Sequence, residues 1–173
     1  MPALEPFVRS RWAHYAPDLL STDPAYVHAH VTALGPFLPH LDAVTKVTLA
    51  RIAADTTPFD VLLGEVEAFP DGVVHLVPEP AQGFLDLTAR LIAAFPQCPP
   101  YAGAFPDSRP HLTLDALSEQ VSVASTRAAL GPLLPVRCRA ERLDLAWYEN
   151  GGTRLLASWA LAGAGPRTRP GIG

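Results

Sequence analysis

The 173-residue chain, 49% hydrophobic and 17% charged, is long enough for one compact unit with a sizeable apolar interior or for two small lobes sharing one. No stretch approaches the roughly 18 uninterrupted apolar residues that a membrane-spanning helix needs, so no such helix is expected. A net charge of −4 excludes a broad electrostatic grip on long nucleic acid and leaves a small nucleotide or a single RNA end as the nucleic-acid partners open to it.

Glu5 and Arg9 stand where a signal peptide would carry its apolar core, so a cytoplasmic protein is expected. The segment from Leu4 to Leu20 has helical periodicity and should end near Pro17. After "STDPA", the run "YVHAHVTAL" alternates in the strand sense. Tyr26, His28, His30 and Thr32 are predicted on one face, and Val27, Ala29, Val31 and Ala33 on the other. "GPFLP" breaks the strand, and "HLDAVTKVTLARIAAD" reads as a helix.

Two β-rich runs in "PFDVLLGEVEAFPDGVVHLVPEP" are joined by "PDG", a hairpin signal. A helix over "AQGFLDLTARLIAAF" leads into the loop "PQCPPYAGAFPDSRP". The alternation then recurs in "HLTLD", with His111, Thr113 and Asp115 predicted on one face and Leu112 and Leu114 on the other. A helix over "LSEQVSVASTRAALGPLL" and two strands, "VRCRAERLDLAWYE" and "TRLLASWALA", joined by "NGG", complete the fold. The tail from Gly163 to Gly173 is predicted to be disordered. Cys98 and Cys138 fall in no metal or redox spacing and read as free thiols.

The order around each His-x-Thr is the same: motif strand, helix, two antiparallel strands. This predicts a duplicated α+β unit. Residues i and i+2 of a strand point the same way about 6.6–6.8 Å apart, so each copy presents an imidazole and a hydroxyl to one space. Two imidazoles facing each other suit in-line displacement at phosphorus, one as base for the attacking oxygen and one as acid for the leaving oxygen. Thr32 and Thr113 then supply hydroxyls for the phosphoryl oxygens, and no metal or other cofactor is required. His-x-Thr alone is a weak pattern; its strength here comes from the matching strand context of both copies.

In His30 and Thr32 of "HVTALGPF" and His111 and Thr113 of "PHLTL", the chain resembles the two-histidine (2H) phosphoesterase superfamily, which includes 2',5'-RNA ligase-like proteins and cyclic phosphodiesterases. The resemblance covers most of residues 1–162, through "FDVLLGEVEAFPDGVVHLVPEP" and the terminal strand with Trp159. It implies a single bilobal α+β domain over 1–162, with two antiparallel sheets lining a V-shaped groove and helices outside. Each lobe would contribute one motif strand, at 30–32 and 111–113. It also implies metal-independent chemistry on 2',3'-cyclic phosphates or 2',5'-linkages, with His30 and His111 as the acid/base pair and Thr32 and Thr113 binding phosphate. The expected partner is a nucleotide or RNA-end cyclic phosphate, handled by a monomer. Members of the family place a strand before the first helix, and this chain reaches its helix within a few residues of Met1.

Other residues keep open readings. His28 is either a groove contact or a solvated strand residue; with His30 it could supply two metal ligands, but no spacing selects a third. Arg109 is a surface residue or a phosphate contact. Tyr101 and Phe105 stack a base or simply pack the loop. His14, His40 and His75 carry no supporting pattern and are assigned to surface or core. A nucleotide-binding module with little turnover, or a 2',5'-RNA ligase, would use the same scaffold.

Overall fold

The computed structural model describes residues 1–105 and 109–163. All but the first residue of the predicted tail, and Pro106 to Ser108 of the predicted loop, therefore lie outside the described residues.

The first helix, α1 (Glu5–Tyr15), starts with Pro6 in its first turn, where a missing N–H costs nothing, and stops ahead of Pro17. Val8 and Trp12 form its buried stripe, continued four residues earlier by Leu4 at the N-cap. Helix α2 (Ala43–Ala54) is capped by Asp42, whose carboxylate accepts the Thr45 N–H at 2.7 Å. The hairpin follows as β1 (Phe59–Ala68) and β2 (Val73–Glu79), with Gly72 at φ +93° taking the left-handed turn position. Helix α3 (Gln82–Ala94) buries Phe84, Leu87 and Leu91. Then come β3 (Leu112–Ala116), α4 (Val123–Leu130), β4 (Val136–Ala140), β5 (Arg142–Trp147) and β6 (Arg154–Ala160).

The result is α+β, as the alternation of elements predicts, with two antiparallel sheets: four strands in the order β3-β2-β1-β4, and the pair β5-β6. Helices α1 and α4 cover the larger sheet, where Leu4, Val8, Trp12 and Leu130 pack with Leu63, Leu76, Leu112 and Leu114. Helices α2 and α3 bring Leu49, Ile52, Leu87 and Leu91 against Leu143, Leu145 and Trp159 of the smaller sheet. Both cores thus draw on both halves of the sequence.

Three local expectations are corrected. "VRCRAERLDLAWYE" is two strands, because its inward positions change parity at Glu141: Val136, Cys138 and Ala140 turn toward one core, and Leu143, Leu145 and Trp147 are the shielded positions beyond the break. "YVHAHVTAL" is not a continuous strand; only Val31 bridges a neighbour, Leu112. Its backbone groups are spent elsewhere, since the Glu5 carboxylate accepts the N–H groups of His28 and Ala29, and the His30 N–H closes a tight turn onto the His28 carbonyl. Asp115 does not share a face with His111 and Thr113. Val74 pairs with Asp115 and His75 with Thr113, so Leu114 is the extra residue of a bulge that turns Asp115 toward α1, where Arg11 pairs with it.

Candidate active site

The isolated bridge between Val31 and Leu112 brings the two motifs side by side. The pairing is antiparallel, so one residue to either side sets His30 opposite Thr113 and Thr32 opposite His111. An approximate local two-fold axis relates the two backbones at the bridge, which sets each motif's histidine position beside the other motif's threonine position. Diagonal neighbours in such a pair lie about 7–8 Å apart, which is the separation expected for His30 and His111. Leu112 is fully buried on the α1 side, whereas His30, His111 and Thr113 are half-buried and Thr32 is exposed.

Each histidine is tethered in the same way. His30 donates from Nδ1 to the Val27 carbonyl at 2.9 Å, and His111 donates from Nδ1 to the Arg109 carbonyl at 2.8 Å. A carbonyl only accepts, so each Nδ1 carries a proton and each Nε2 is the atom left to face a ligand. Among the described residues neither Nε2 has a hydrogen-bond partner. Burial pushes the His30 pKa below its usual value, and the Val27 carbonyl only partly opposes that. His30 is accordingly neutral near physiological pH.

His28 belongs to neither of its predicted settings. It is almost wholly buried, donating from Nδ1 to Glu5 Oε1 at 2.9 Å while Nε2 accepts the Ser21 N–H at 3.1 Å. Both ring nitrogens are committed, so it cannot join His30 on a metal. Among the described residues no three His, Cys, Asp or Glu side chains gather in a metal-holding group. His28 acts instead as a buried strut between α1 and the motif segment.

The loop before β3 closes over the second motif. Tyr101 lies nearly parallel to the His111 ring at 6.5 Å, and Phe105 meets Tyr101 edge-on at 5.7 Å. Tyr101 and Ala102 both hold positive φ, a conformation that costs non-glycine residues about 1 kcal/mol or more each. The Tyr101 N–H bond to the Gly35 carbonyl secures it, joining the loop before the second motif to the segment after the first. A shallow hollow beside Thr32 has Gly35, Thr88, Tyr101 and Arg109 in its walls. The Arg109 guanidinium is exposed, paired with Glu67 at 3.2 Å and set over the Phe69 ring.

His14 and His40 are on the surface, but His75 is buried with its ring 5.4 Å from that of His111. Cross-strand register places it there: His75 on β2 faces Thr113 on β3 and Glu67 on β1. Nothing in the local sequence around His75 signals this neighbourhood; only the pairing of three strands does.

Comparison with known proteins then decides the family: the model described as the 2'-5' RNA ligase superfamily matches residues 2–152. The chain belongs to that superfamily. Among solved structures, E. coli LigT complexed with 3'-AMP is 24% identical, with a TM-score of 0.55 over 92% of this chain and 91% of that one. The Thermus thermophilus protein TT0787 is 21% identical over 78% of each chain, with a TM-score of 0.55. A structure described as a phosphoesterase is 20% identical over 93% of this chain and 92% of that one, with a TM-score of 0.57. At these identities the likeness is one of fold. No curated protein matches the chain. The resemblance seen in the two His-x-Thr motifs is thus a superfamily relationship, within a family of phosphoesterase- and ligase-like enzymes. No helix among the described residues is long and apolar enough to cross a membrane.

Proposed function

We propose that this member of the 2'-5' RNA ligase superfamily is a metal-independent phosphoesterase that hydrolyses the 2',3'-cyclic phosphate of a nucleotide or RNA end, or a 2',5'-phosphodiester. The observation that carries this reading is the matched pair of Nδ1 tethers, which leaves one Nε2 atom on each of the two backbones that the bridge pairs. A phosphoryl group between them meets a base on one side and an acid on the other. His30, kept neutral by burial, is the base: its Nε2 takes a proton from the attacking water as the new P–O bond forms. His111, protonated on Nε2, gives its proton to the ribose oxygen as the P–O bond to that oxygen breaks. Thr32 and Thr113 donate hydroxyl hydrogen bonds to the oxygens that do not react. The occupancy of E. coli LigT by 3'-AMP supports a nucleotide as the class of ligand.

Product analysis on 2',3'-cyclic nucleotides and 2',5'-linked dinucleotides tests the reading, with a nucleoside monophosphate carrying a free 2'- or 3'-phosphate as the expected product. Binding of cyclic nucleotide without product would replace it with a binding module, and joining of RNA ends without hydrolysis would replace it with a ligase. Thr113→Val keeps the branched shape on β3 and removes only the hydroxyl, so kcat should fall about 10–100-fold while the thermal unfolding midpoint stays within a degree or two. An unchanged kcat would remove Thr113 from the phosphate site.

A further inference from the structure

The His111 side chain is held by a single hydrogen bond, and one bond to Nδ1 leaves the ring free to swing about it. Besides the nearly parallel Tyr101 ring at 6.5 Å, two edge-on rings limit that swing. Phe69 meets His111 edge-on at 4.8 Å and 84°, and His75 meets it at 5.4 Å and 68°. Phe69 sits at the mouth of the β1–β2 turn, where its own position depends on a face-to-face stack with His75 at 3.8 Å and 16°. His75 is the fixed member of the group. It is 1% exposed, lies in the interior of β2, and donates from Nδ1 to the Val73 carbonyl at 3.2 Å.

A buried imidazole at this strand position needs a reason, because Val73 and Val77, two residues to either side, fill equivalent positions with apolar branches. Apolar branches would fill the space without presenting a flat face. An imidazole supplies the flat surface that Phe69 requires, and Glu67 Oε2, 3.9 Å from Nε2, lies at its polar edge. The same carboxylate holds the Arg109 guanidinium, and Arg109 provides the carbonyl that tethers His111. The tether of His111 and both of its edge contacts therefore pass through the group formed by His75, Phe69, Glu67 and Arg109.

We infer that His75 is a positioning residue for the second motif: its ring, through Phe69 and by direct contact, holds the His111 imidazole with Nε2 turned to the groove. The inference rests on reading His111 as the general acid. It differs from the acid/base roles themselves, because His75 touches no reacting atom.

Two variants separate this from a packing role. His75→Leu fills the buried volume without a flat ring, and His75→Phe restores the ring without a polar atom, so both should fold. With 2',3'-cyclic nucleotides, His75→Leu should lower kcat about tenfold with KM unchanged, and His75→Phe should recover most of the loss. In parallel, nitrogen-15 NMR of the His111 ring should show a single set of signals with the Nδ1–H held in its hydrogen bond in the wild type and in His75→Phe, and multiple or broadened signals in His75→Leu. Wild-type kcat and a wild-type His111 spectrum in His75→Leu would overturn the inference. So would a loss confined to KM, or a His75→Phe variant as impaired as His75→Leu. If the wild type turns over none of the phosphates, the proposed function fails, and the spectra alone decide the role of His75.

Discussion

His30→Ala and His111→Ala should each lower turnover of a 2',3'-cyclic nucleotide by about 10²–10⁴-fold, the usual worth of a positioned acid or base. The two losses should not add: once one proton transfer is gone, the other has nothing to act in concert with, and the double variant should resemble the worse single one. Neither side chain is wholly buried, and neither hydrogen-bonds a remote part of the chain, so circular dichroism and the unfolding midpoint should stay near wild type. The pH profile adds a directional check. His30 must be neutral to accept a proton, and burial holds its pKa below the ordinary 6.5, so kcat/KM should begin to fall on the acid side only below that value. Full activity in both single variants would sink the assignment of the pair.

The second large effect is on stability and lies at Glu5. Its carboxylate accepts the backbone N–H groups of His28 and Ala29 and the Nδ1 proton of His28. Glu5→Ala leaves three donors without acceptors, each costing about 1–3 kcal/mol when buried. The Glu5 side chain is partly open to water, so the lower end applies and the total should be about 3 kcal/mol, read as a shift of the urea midpoint. Activity should fall as well, since His30 is anchored only two residues beyond.

The charge state of Glu5 gives this a pH dependence. Burial on its own would raise the carboxyl pKa, but the hydrogen bonds from Ala29 and His28 outweigh it and the net shift is downward from 4.5. The unfolded chain therefore binds the proton more readily than the folded one. The stability from Glu5 is complete above 4.5 and is lost as pH falls through the lower folded value. Glu5→Ala should lack that part of the acid slope; an identical slope in wild type and variant would show that the carboxylate does not hold the segment.

The residues of the proposed site are legible in the sequence and the groups that support them are not, for a physical reason. His111 and Thr113 are legible because "HLTLD" alternates locally and β3 forms where the alternation is. His30 and Thr32 are legible as a motif although their strand is reduced to one bridge, because His-x-Thr spacing survives the loss of ladder hydrogen bonds. His28 is not separable from His30 by alternation, since its partner Glu5 lies 23 residues away and no local pattern encodes the contact. Asp115 escapes because a bulge breaks the period-two rule between Thr113 and Asp115. His75 is visible only once β1, β2 and β3 are in register. The split at Glu141, by contrast, stands in the sequence as a change of parity between Cys138 and Leu143.

The interleaving of the two cores sets the order in which this chain becomes whole during synthesis. In the larger sheet the inner strands, β2 and β1, are made first, and both outer strands, β3 and β4, come from the second half. A nascent chain that has reached Phe105 carries a hairpin with two unpaired edges, together with α2 and α3 whose apolar faces await β5 and β6. Neither half is a self-sufficient intermediate. The larger sheet can close only once β4 has been made, and the smaller layer only once β6 has, so the His30 and His111 segments are brought together late in the order of synthesis.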